Sequence, residues 1–398
     1  MTGDGSGKAP SRAEIMARVR ALAPGISGRA AAAEAMRRVP AETSSELRAA
    51  GLFRMVQPRR FGGWEQDYDL LIETVMALAA ACASTAWVYA IAAGQHMMVA
   101  NFPLAAQEEI WGRTQDAITC GAYAPQGQAE AAPGGFRLDG SWSFVSGCDI
   151  ADWALIGAAL PQEGGRQPSF VLVPSGDYAI EDNWHTVGLA ATGSKSIVLR
   201  DVFVPAHRVL PFARMTSCRV AGTVPHANPM YRLPMLAFVP SVLGAVAIGA
   251  ATGAVESFIA ASRVRTTRGG VATGKTAVAG FTAVQMRVAE ALAATDAGAT
   301  IVLRDNRAAL ATLRMGEDLS VAERITIRRG QGFAVRLAVQ AIETVANATG
   351  IGGIFLDHPV HRAWRDAIAA SRHISLNWDA VAAMVGQEAL GLEPPANY

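Results

Sequence analysis

The sequence predicts a mainly α-helical α+β protein in which helices come first, a block of strands follows, and a helical bundle completes the chain. Three observations predict this order. Apolar residues recur every three or four positions over about 11–111, short β-branched runs fill about 117–210, and long helical periods return after Pro234. We therefore expect an N-terminal helical domain at residues 1–114, a central β domain at 115–220 and a C-terminal helical bundle at 221–398.

The first helices follow from spacings such as Leu47, Leu52 and Met55. The polar, Gly-rich segment before them lacks the apolar core and small-residue cleavage site of a secretory signal. The four cysteines form neither a Cys-x-x-Cys pair nor a dense disulfide framework, and they are Cys82, Cys120, Cys148 and Cys218. A reducing, cytoplasmic location is expected.

The central strands are predicted from the runs 154–157, 170–173 and 196–199, which are bounded by Gly, Pro and Asp. Because the strands are gathered together, without alternating βαβ units, a doubly wound nucleotide-binding sheet is not expected. A Gly-x-Gly-x-x-Gly segment between strand and helix is also absent. The chain thus shows no site for a nicotinamide cofactor.

Two long runs without Asp, Glu, Lys or Arg, 75–107 and 233–255, are long enough to cross a bilayer. The first contains Gln95, His96 and Asn101, and the second is broken by Pro234 and Pro240 and is rich in Ala and Gly. Runs of this kind are typical of helices buried on all sides in a large bundle. We therefore expect no membrane span.

The composition excludes several classes of function. With 35 Lys and Arg against 34 Asp and Glu, the formal net charge is +1, and no basic block suits a phosphate backbone, so nucleic acid is not an expected partner. Of the seven histidines only His358 and His361 are close, with no carboxylate at ligand spacing, so no metal site is expected. A Gly-x-Ser-x-Gly nucleophile elbow is absent as well.

Five segments carry a resemblance that covers nearly the whole chain. In order along the chain they are 140–154 (GSWSFVSGCDIADWA), 184–195 (WHTVGLAATGSK), 202–205 (VFVP), 231–234 (YRLP) and 364–379 (WRDAIAASRHISLNWD). Together these segments resemble the two-component flavin monooxygenases built on the acyl-CoA dehydrogenase fold. The best-known members of that family hydroxylate phenols such as 4-hydroxyphenylacetate.

The resemblance implies the function. It implies an oxygenase component that takes reduced flavin, FADH2 in preference to FMNH2, from a separate NAD(P)H-dependent flavin reductase. With O2 as co-substrate, a C4a-hydroperoxyflavin would hydroxylate an electron-rich small aromatic, a phenol or an indole. Bundles of this family usually form dimers of dimers, so a homotetramer is expected.

The resemblance also implies which residues carry the chemistry. Ser146 would direct its hydroxyl to flavin N5, with Ser143 as the alternate and Trp142 as the packing residue. His373 would lie at the reacting edge of the flavin ring. His96 matches the substrate-side histidine of the family, and the substrate pocket would also include Met97, Met230 and Tyr231.

Further residues are implied for the flavin phosphates and for the rest of the cofactor. Hydroxyl donors would come from the β domain, and positive charge and backbone contacts from the helical bundle, in part toward the flavin of a neighbouring subunit. These residues are Thr192, Ser194, Arg263, Arg265, Gln285, Gly350 and Gly353.

One departure from the parent fold separates two kinds of reaction. Acyl-CoA dehydrogenases remove an α-proton with a glutamate, commonly shortly after an Arg-Asp pair, but the stretch after Arg365 and Asp366 contains no carboxylate. An acyl-CoA dehydrogenase or oxidase stays open as an alternative if Glu256 or Glu290 supplies the base. An N- or S-oxygenase of the same fold, and an inactive partner-binding relative, also stay open.

Overall fold

The computed structural model describes residues 9–216, 226–268 and 275–394, so Cys218 and the predicted domain boundary at residue 220 lie outside the described residues. Within these ranges the helices are α1 (Arg12–Met36), α2 (Ala41–Ala49), α3 (Tyr68–Ala81), α4 (Ala83–Val99), α5 (Leu104–Trp111), α6 (Met235–Val264), α7 (Thr282–Arg314), α8 (Val321–Ala346), α9 (Pro359–Ser371) and α10 (Trp378–Ala389). The strands are β1 (Thr119–Pro125), β2 (Gln128–Ala132), β3 (Gly135–Val145), β4 (Trp153–Gln162), β5 (Gly165–Pro174), β6 (Ala179–Glu181), β7 (Lys195–Pro205), β8 (Val209–Pro211), β9 (Thr266–Arg268) and β10 (Lys275–Ala277).

Helix α4 packs against α3 of the N-terminal domain, α6 of the bundle and β1 of the β domain, so it lies where the three domains meet. Sixteen of the 17 residues of α4 are buried, and Ile91 is the half-buried exception. A helix that is apolar all round is typical of the interior of a large domain. The half-buried Ile91 shows where accessible surface reaches this helix.

The central domain is a sandwich of two four-stranded sheets, with strand orders β1-β4-β5-β8 and β2-β3-β7-β6. Their facing sides share a core of residues that includes Leu138, Ile156, Val171 and Ile197. Strand β3 pairs with β7 in antiparallel register, and that register shifts between Trp142 and Val145. The shift bends the end of β3 toward the helices.

The C-terminal bundle is built around α6, which packs against α3, α7, α8 and α9. Pro240 does not break α6, contrary to the sequence prediction, because its missing N–H frees only the carbonyl of Leu236. The amide of Gln331 donates to that carbonyl at 3.1 Å and to the Ala237 carbonyl at 3.0 Å. A side chain of α8 thus replaces the hydrogen bond that proline removes.

Among the described residues, α6 is the one helix long and apolar enough to cross a membrane, and 78% of its most apolar window is buried inside the protein. The observed order of helices, sandwich and bundle confirms the predicted mainly α, α+β fold class.

Candidate active site

Three residues that are far apart in the sequence meet between the sandwich and the bundle. The Trp87 indole of α4 donates from Nε1 to the Ser146 hydroxyl at 3.1 Å. The His373 ring lies edge-on to Trp87, with ring centroids 5.8 Å apart. The structure therefore brings Ser146 and His373 together, as predicted, and adds Trp87, which the sequence analysis missed.

Local backbone geometry aims Ser146 at α4. Phe144 and Gly147, on either side of it, both adopt the left-handed region, with φ of 65° and 78°. A Cβ on residue 147 would lie 2.7 Å from Val88 of α4, so glycine lets the turn approach the helix closely. The turn at the end of β3 thus presents the Ser146 hydroxyl to Trp87.

Thr192 and Ser194 lie in the same cluster. The Ser194 hydroxyl is 2.6 Å from the Ser146 hydroxyl and 2.6 Å from that of Thr192. All three residues are buried. Of the two residues predicted to be hydroxyl donors, Ser194 therefore contacts Ser146 directly and Thr192 is linked to it through Ser194.

A pair of residues on α9 fixes the loop before this cluster. Arg365 donates to the Val187 carbonyl at 2.8 Å, and the Asp366 carboxylate accepts from the Leu189 N–H at 2.6 Å. Burial raises the pKa of Asp366 to about 6, although the Leu189 N–H acts in the opposite direction. The Arg-Asp pair therefore anchors this loop to the bundle.

The His373 ring is neutral and its tautomer is fixed. Nδ1 lies 2.7 Å from the Ser375 hydroxyl and accepts from the Ser375 N–H at 3.2 Å. With Nδ1 as the acceptor, the ring proton is on Nε2. Burial, and secondly the charge of Arg328, lower the pKa of His373 to about 4. Arg328 also donates to the Ser375 carbonyl at 2.8 Å, which holds this turn in place. His373 can therefore act as a hydrogen-bond donor through Nε2.

Trp142 does not have its predicted role. Its ring is 0% exposed in the core between the two sheets, and Nε1 donates to the Gly157 carbonyl at 2.7 Å. Side chains alternate along a strand, so Trp142 points into the sandwich. The indole beside Ser146 is that of Trp87. Ser143, the predicted alternate, is half-buried and accepts from the Ser196 hydroxyl at 3.2 Å.

His96 is also placed differently from the prediction. At about 100° per residue, His96 lies about 180° around α4 from Trp87, whereas Gln95 lies about 80° away and Ile91 about 40° away. The His96 ring packs edge-on against Trp111 at 5.4 Å and its Nε2 faces the Ala117 carbonyl at 3.2 Å. Burial lowers its pKa to about 4. The ring therefore belongs to the core of the N-terminal domain.

Gln95, the residue before His96, lies nearer to the Trp87 side of α4. It is 1% exposed, and neither Oε1 nor Nε2 has a hydrogen-bond partner among the described residues. A Cβ on Gly121 of β1 would lie 2.6 Å from Gln95 Nε2, so the amide lies directly against this strand. Tyr123 is the polar neighbour of this amide, outside standard hydrogen-bond geometry. Burial raises the pKa of the Tyr123 phenol, and the Gln95 amide acts in the opposite direction. In the sequence, Gln95 could have been singled out as a polar amide within an otherwise apolar helix.

The other predicted substrate residues are buried nearby and their roles stay predictions. Met97 and Met230 belong to the main apolar core. The Tyr231 hydroxyl donates to the Val56 carbonyl at 2.9 Å, so its proton is already used.

The remaining predicted cofactor residues form a second group beyond the start of α9. Arg265 donates to the Thr349 carbonyl at 2.6 Å, beside Gly350 and Gly353, and Gln285 donates to the Ala279 carbonyl at 2.9 Å. Arg263 and Arg265 are exposed at the end of α6. The rise of α9, about 18 Å, separates the glycine turn from His373. Their cofactor roles stay predictions.

The first group fits a reduced flavin. Reduced flavin carries a hydrogen on N5 and therefore needs an acceptor there, and Ser146 offers an oxygen lone pair. His373 supplies an N–H donor, and Trp87 supplies an aromatic wall in a buried setting. Glu256 and Glu290, the bases required for the acyl-CoA alternative, are both exposed. No group of three metal-ligating side chains occurs among the described residues.

Comparison with known proteins identifies the fold and the family of the chain. A family model described as acyl-CoA dehydrogenase, C-terminal domain, matches residues 241–378. The chain is 46% identical to the FADH2-dependent resorcinol hydroxylase, oxygenase component, of Rhizobium sp. (strain MTP-10005), over 96% of each chain. It is similar to the crystal structure of 3-HSA hydroxylase from Rhodococcus sp. RHA1, with a TM-score of 0.90, 32% identity, and 96% and 98% of the two chains covered.

A further similar structure is XiaF from Streptomyces sp. in complex with FADH2 and glycerol, with a TM-score of 0.88, 30% identity and 96% of each chain covered. Fold and family model define a protein of the acyl-CoA dehydrogenase fold. Within that fold, the chain belongs to the reduced-flavin-dependent oxygenase components of two-component monooxygenases. Its predicted function class is confirmed, and a separate flavin reductase supplies the reduced flavin.

Proposed function

We propose that this oxygenase component uses FADH2 and O2 to hydroxylate a small phenol of the resorcinol type. The observation that carries the proposal is the unpartnered Gln95 amide, on the same side of α4 as Trp87 and Ile91. The name of the Rhizobium relative, a resorcinol hydroxylase, supports the same substrate class.

The Gln95 amide suits a phenol hydroxyl. It offers both a donor and an acceptor, so one hydroxyl group can satisfy both of its atoms. An unpartnered buried amide costs about 1–3 kcal/mol, and a substrate that pairs with it recovers that free energy on binding. Because an amide does not titrate near neutrality, the ring must be electron-rich without help from a base. A second hydroxyl on the ring provides this.

The other residues hold the flavin and keep water out. When bound, reduced flavin would supply the two electrons with which one oxygen atom of O2 enters the aromatic ring and the other is released as water. Ser146 would accept from N5–H, and His373 would donate from Nε2 at the reacting edge. Trp87 packs between these two residues and shields them from solvent. The fixed loop at 187–194 keeps this arrangement rigid.

The experiment combines the protein with a flavin reductase, NADH, FAD and 18O2. Resorcinol, 4-hydroxyphenylacetate and indole are compared, with an acyl-CoA and an artificial electron acceptor as the alternative assay. We expect 18O in a hydroxylated product of resorcinol. Labelled product from indole alone would contradict the phenol assignment. Acyl-CoA oxidation without any labelled product would contradict the function, and so would inactivity in every assay.

We also propose a homotetramer in the cytoplasm, in which a neighbouring copy covers the second group of predicted cofactor residues. Beside Gly350 and Gly353, four large apolar side chains are exposed: Ile351, Ile354, Phe355 and Leu356. Exposed apolar clusters of this kind mark protein contacts. Light scattering on the purified protein measures the oligomer, and the Phe355→Glu variant should dissociate it and weaken FAD binding. A monomeric wild-type protein that binds FAD tightly would contradict this proposal.

A further inference from the structure

A continuous chain of hydrogen bonds runs from α4 through the sandwich edge to the loop that α9 anchors. Trp87 Nε1 is 3.1 Å from the Ser146 hydroxyl, which is 2.6 Å from that of Ser194. Ser194 is 2.6 Å from the Thr192 hydroxyl, which is 2.7 Å from the Leu189 carbonyl. Every member of this chain is buried.

The two ends of the chain determine the direction of every bond in it. An indole N–H can only donate and a carbonyl can only accept, and each hydroxyl has one proton. Thr192 must give its proton to the Leu189 carbonyl, so it accepts from Ser194. Ser194 has then used its proton, so it accepts from Ser146.

The accepting end of the chain is held rigidly. The Leu189 carbonyl also accepts from Trp184 Nε1 at 3.1 Å, and the Leu189 N–H donates to Asp366 at 2.6 Å. Leu189 and Gly193 both adopt the left-handed conformation, with φ of 52° and 53°. Reversing the chain would leave the oxygen atoms of the Thr192 hydroxyl and the Leu189 carbonyl 2.7 Å apart with no proton between them.

Ser146 therefore presents a lone pair, and not a proton, to whatever lies beside it. The N5 atom of reduced flavin carries a hydrogen and donates, whereas N5 of oxidised flavin is an acceptor. We infer that Ser194 and Thr192, which do not themselves need to touch N5, make the site selective for reduced over oxidised flavin by fixing the direction of the Ser146 hydroxyl. This inference rests on the proposed placement of N5 at Ser146.

The test measures the dissociation constants of oxidised FAD, in air, and of dithionite-reduced FAD, under anaerobic conditions, for each variant. Wild-type protein should bind reduced FAD more tightly. In Ser194→Ala the Ser146 proton loses its acceptor and can turn to N5 of oxidised FAD. We expect oxidised FAD to bind about fivefold more tightly and reduced FAD to change little, since one hydrogen bond is gained.

Matched variants separate direction from packing. The quantity compared is the dissociation constant of oxidised FAD divided by that of reduced FAD. Thr192→Ser keeps the terminal hydroxyl and should keep the wild-type ratio, while Thr192→Val should lower it. Ser146→Ala should lower the ratio by weakening reduced FAD alone. Ser169→Ala, a buried serine of β5 whose hydroxyl donates to the Gln167 carbonyl, is the control and should change neither constant.

The outcomes distinguish this inference from the proposed function. Wild-type protein that binds neither form of FAD would contradict the proposed function. Wild-type protein that binds both forms equally would overturn the inference alone. So would a Ser194→Ala variant that remains folded by circular dichroism but keeps the wild-type ratio, or that weakens both forms equally. The absorption spectrum of bound oxidised FAD should shift in Ser194→Ala if N5 gains a donor.

Discussion

Two buried polar regions lie along the same side of α4, one at Trp87 and one at Gln95, and they satisfy their hydrogen bonds in opposite ways. On the sandwich side, the hydroxyls of Ser146, Ser194 and Thr192 have each committed their proton. On the α4 side, both amide atoms of Gln95 lack partners. A satisfied network is rigid and pre-organised, whereas an unsatisfied buried group costs free energy until a ligand arrives. The difference supports the proposal that the first region holds the flavin and the second receives the substrate.

The Gln95→Leu variant tests the substrate side of this comparison most strongly. Removing the amide should lower hydroxylated product per NADH about tenfold or more, since a buried hydrogen-bonding pair to the substrate is lost. The same change should raise the free energy of unfolding by about 1–3 kcal/mol, because two unsatisfied buried atoms are removed. Product analysis and urea denaturation measure the two effects. Unchanged product yield would remove Gln95 from the substrate site.

The His96→Leu variant tests the neighbouring residue, for which the prediction is the reverse. Its loss leaves the Ala117 carbonyl unpaired in the core, which outweighs the removal of the partnerless Nδ1 atom, so the free energy of unfolding should fall by about 1 kcal/mol at pH 7.5. Product per NADH in the folded fraction should stay within about twofold of wild type, since the ring lies on the opposite side of α4 from Trp87. If product falls while peroxide rises, the original assignment of His96 to the substrate is restored.

These two adjacent residues show how much the sequence could predict. The order of helices, strands and bundle follows from hydrophobic periodicity. The resemblance named Ser146, Ser194 and His373, which lie together around Trp87, and their roles toward the flavin stay predictions. It could not decide between Gln95 and His96, because one residue along a helix is about 100° of rotation and the helix is apolar on all sides. The role of Trp142 could not be predicted for a similar reason. The sequence does not show the register shift between Trp142 and Val145, and so it does not show which face of the sheet each side chain is on.

The pH dependence of stability sharpens the comparison between buried and exposed groups. His96 and His373 have pKa values of about 4 in the folded protein, below the ordinary 6.5, because burial disfavours the charged ring. As the pH falls, both rings therefore become protonated in the unfolded chain before they do so in the folded protein. Their contribution to the free energy of unfolding is fully present above pH 6.5 and is lost as the pH falls toward 4. Asp366, with a pKa raised to about 6, opposes this, since its folded form takes up a proton first.

Between pH 7 and pH 5, His96 and His373 should therefore each lower the free energy of unfolding by about 2 kcal/mol. The His96→Leu variant should lose about 2 kcal/mol less than wild type over that interval, which urea denaturation at the two pH values measures. An equal loss in both proteins would show that the His96 ring is accessible to protons in the folded state and is not a core residue.

The smallest effect on stability and on FAD binding is expected at Ser143, the alternative to Ser146. Its hydroxyl accepts from Ser196, which in turn pairs with Asn183, so it belongs to a separate string of hydrogen bonds from the one that includes Ser146. Ser143 is half-buried, so water can replace the lost partner in Ser143→Ala, and we expect a change below about 0.5 kcal/mol in stability. The affinities for reduced and oxidised FAD should both match wild type. A loss of reduced FAD binding at Ser143, with no loss in Ser146→Ala, would move N5 to the other hydroxyl and with it the assignment of the flavin region.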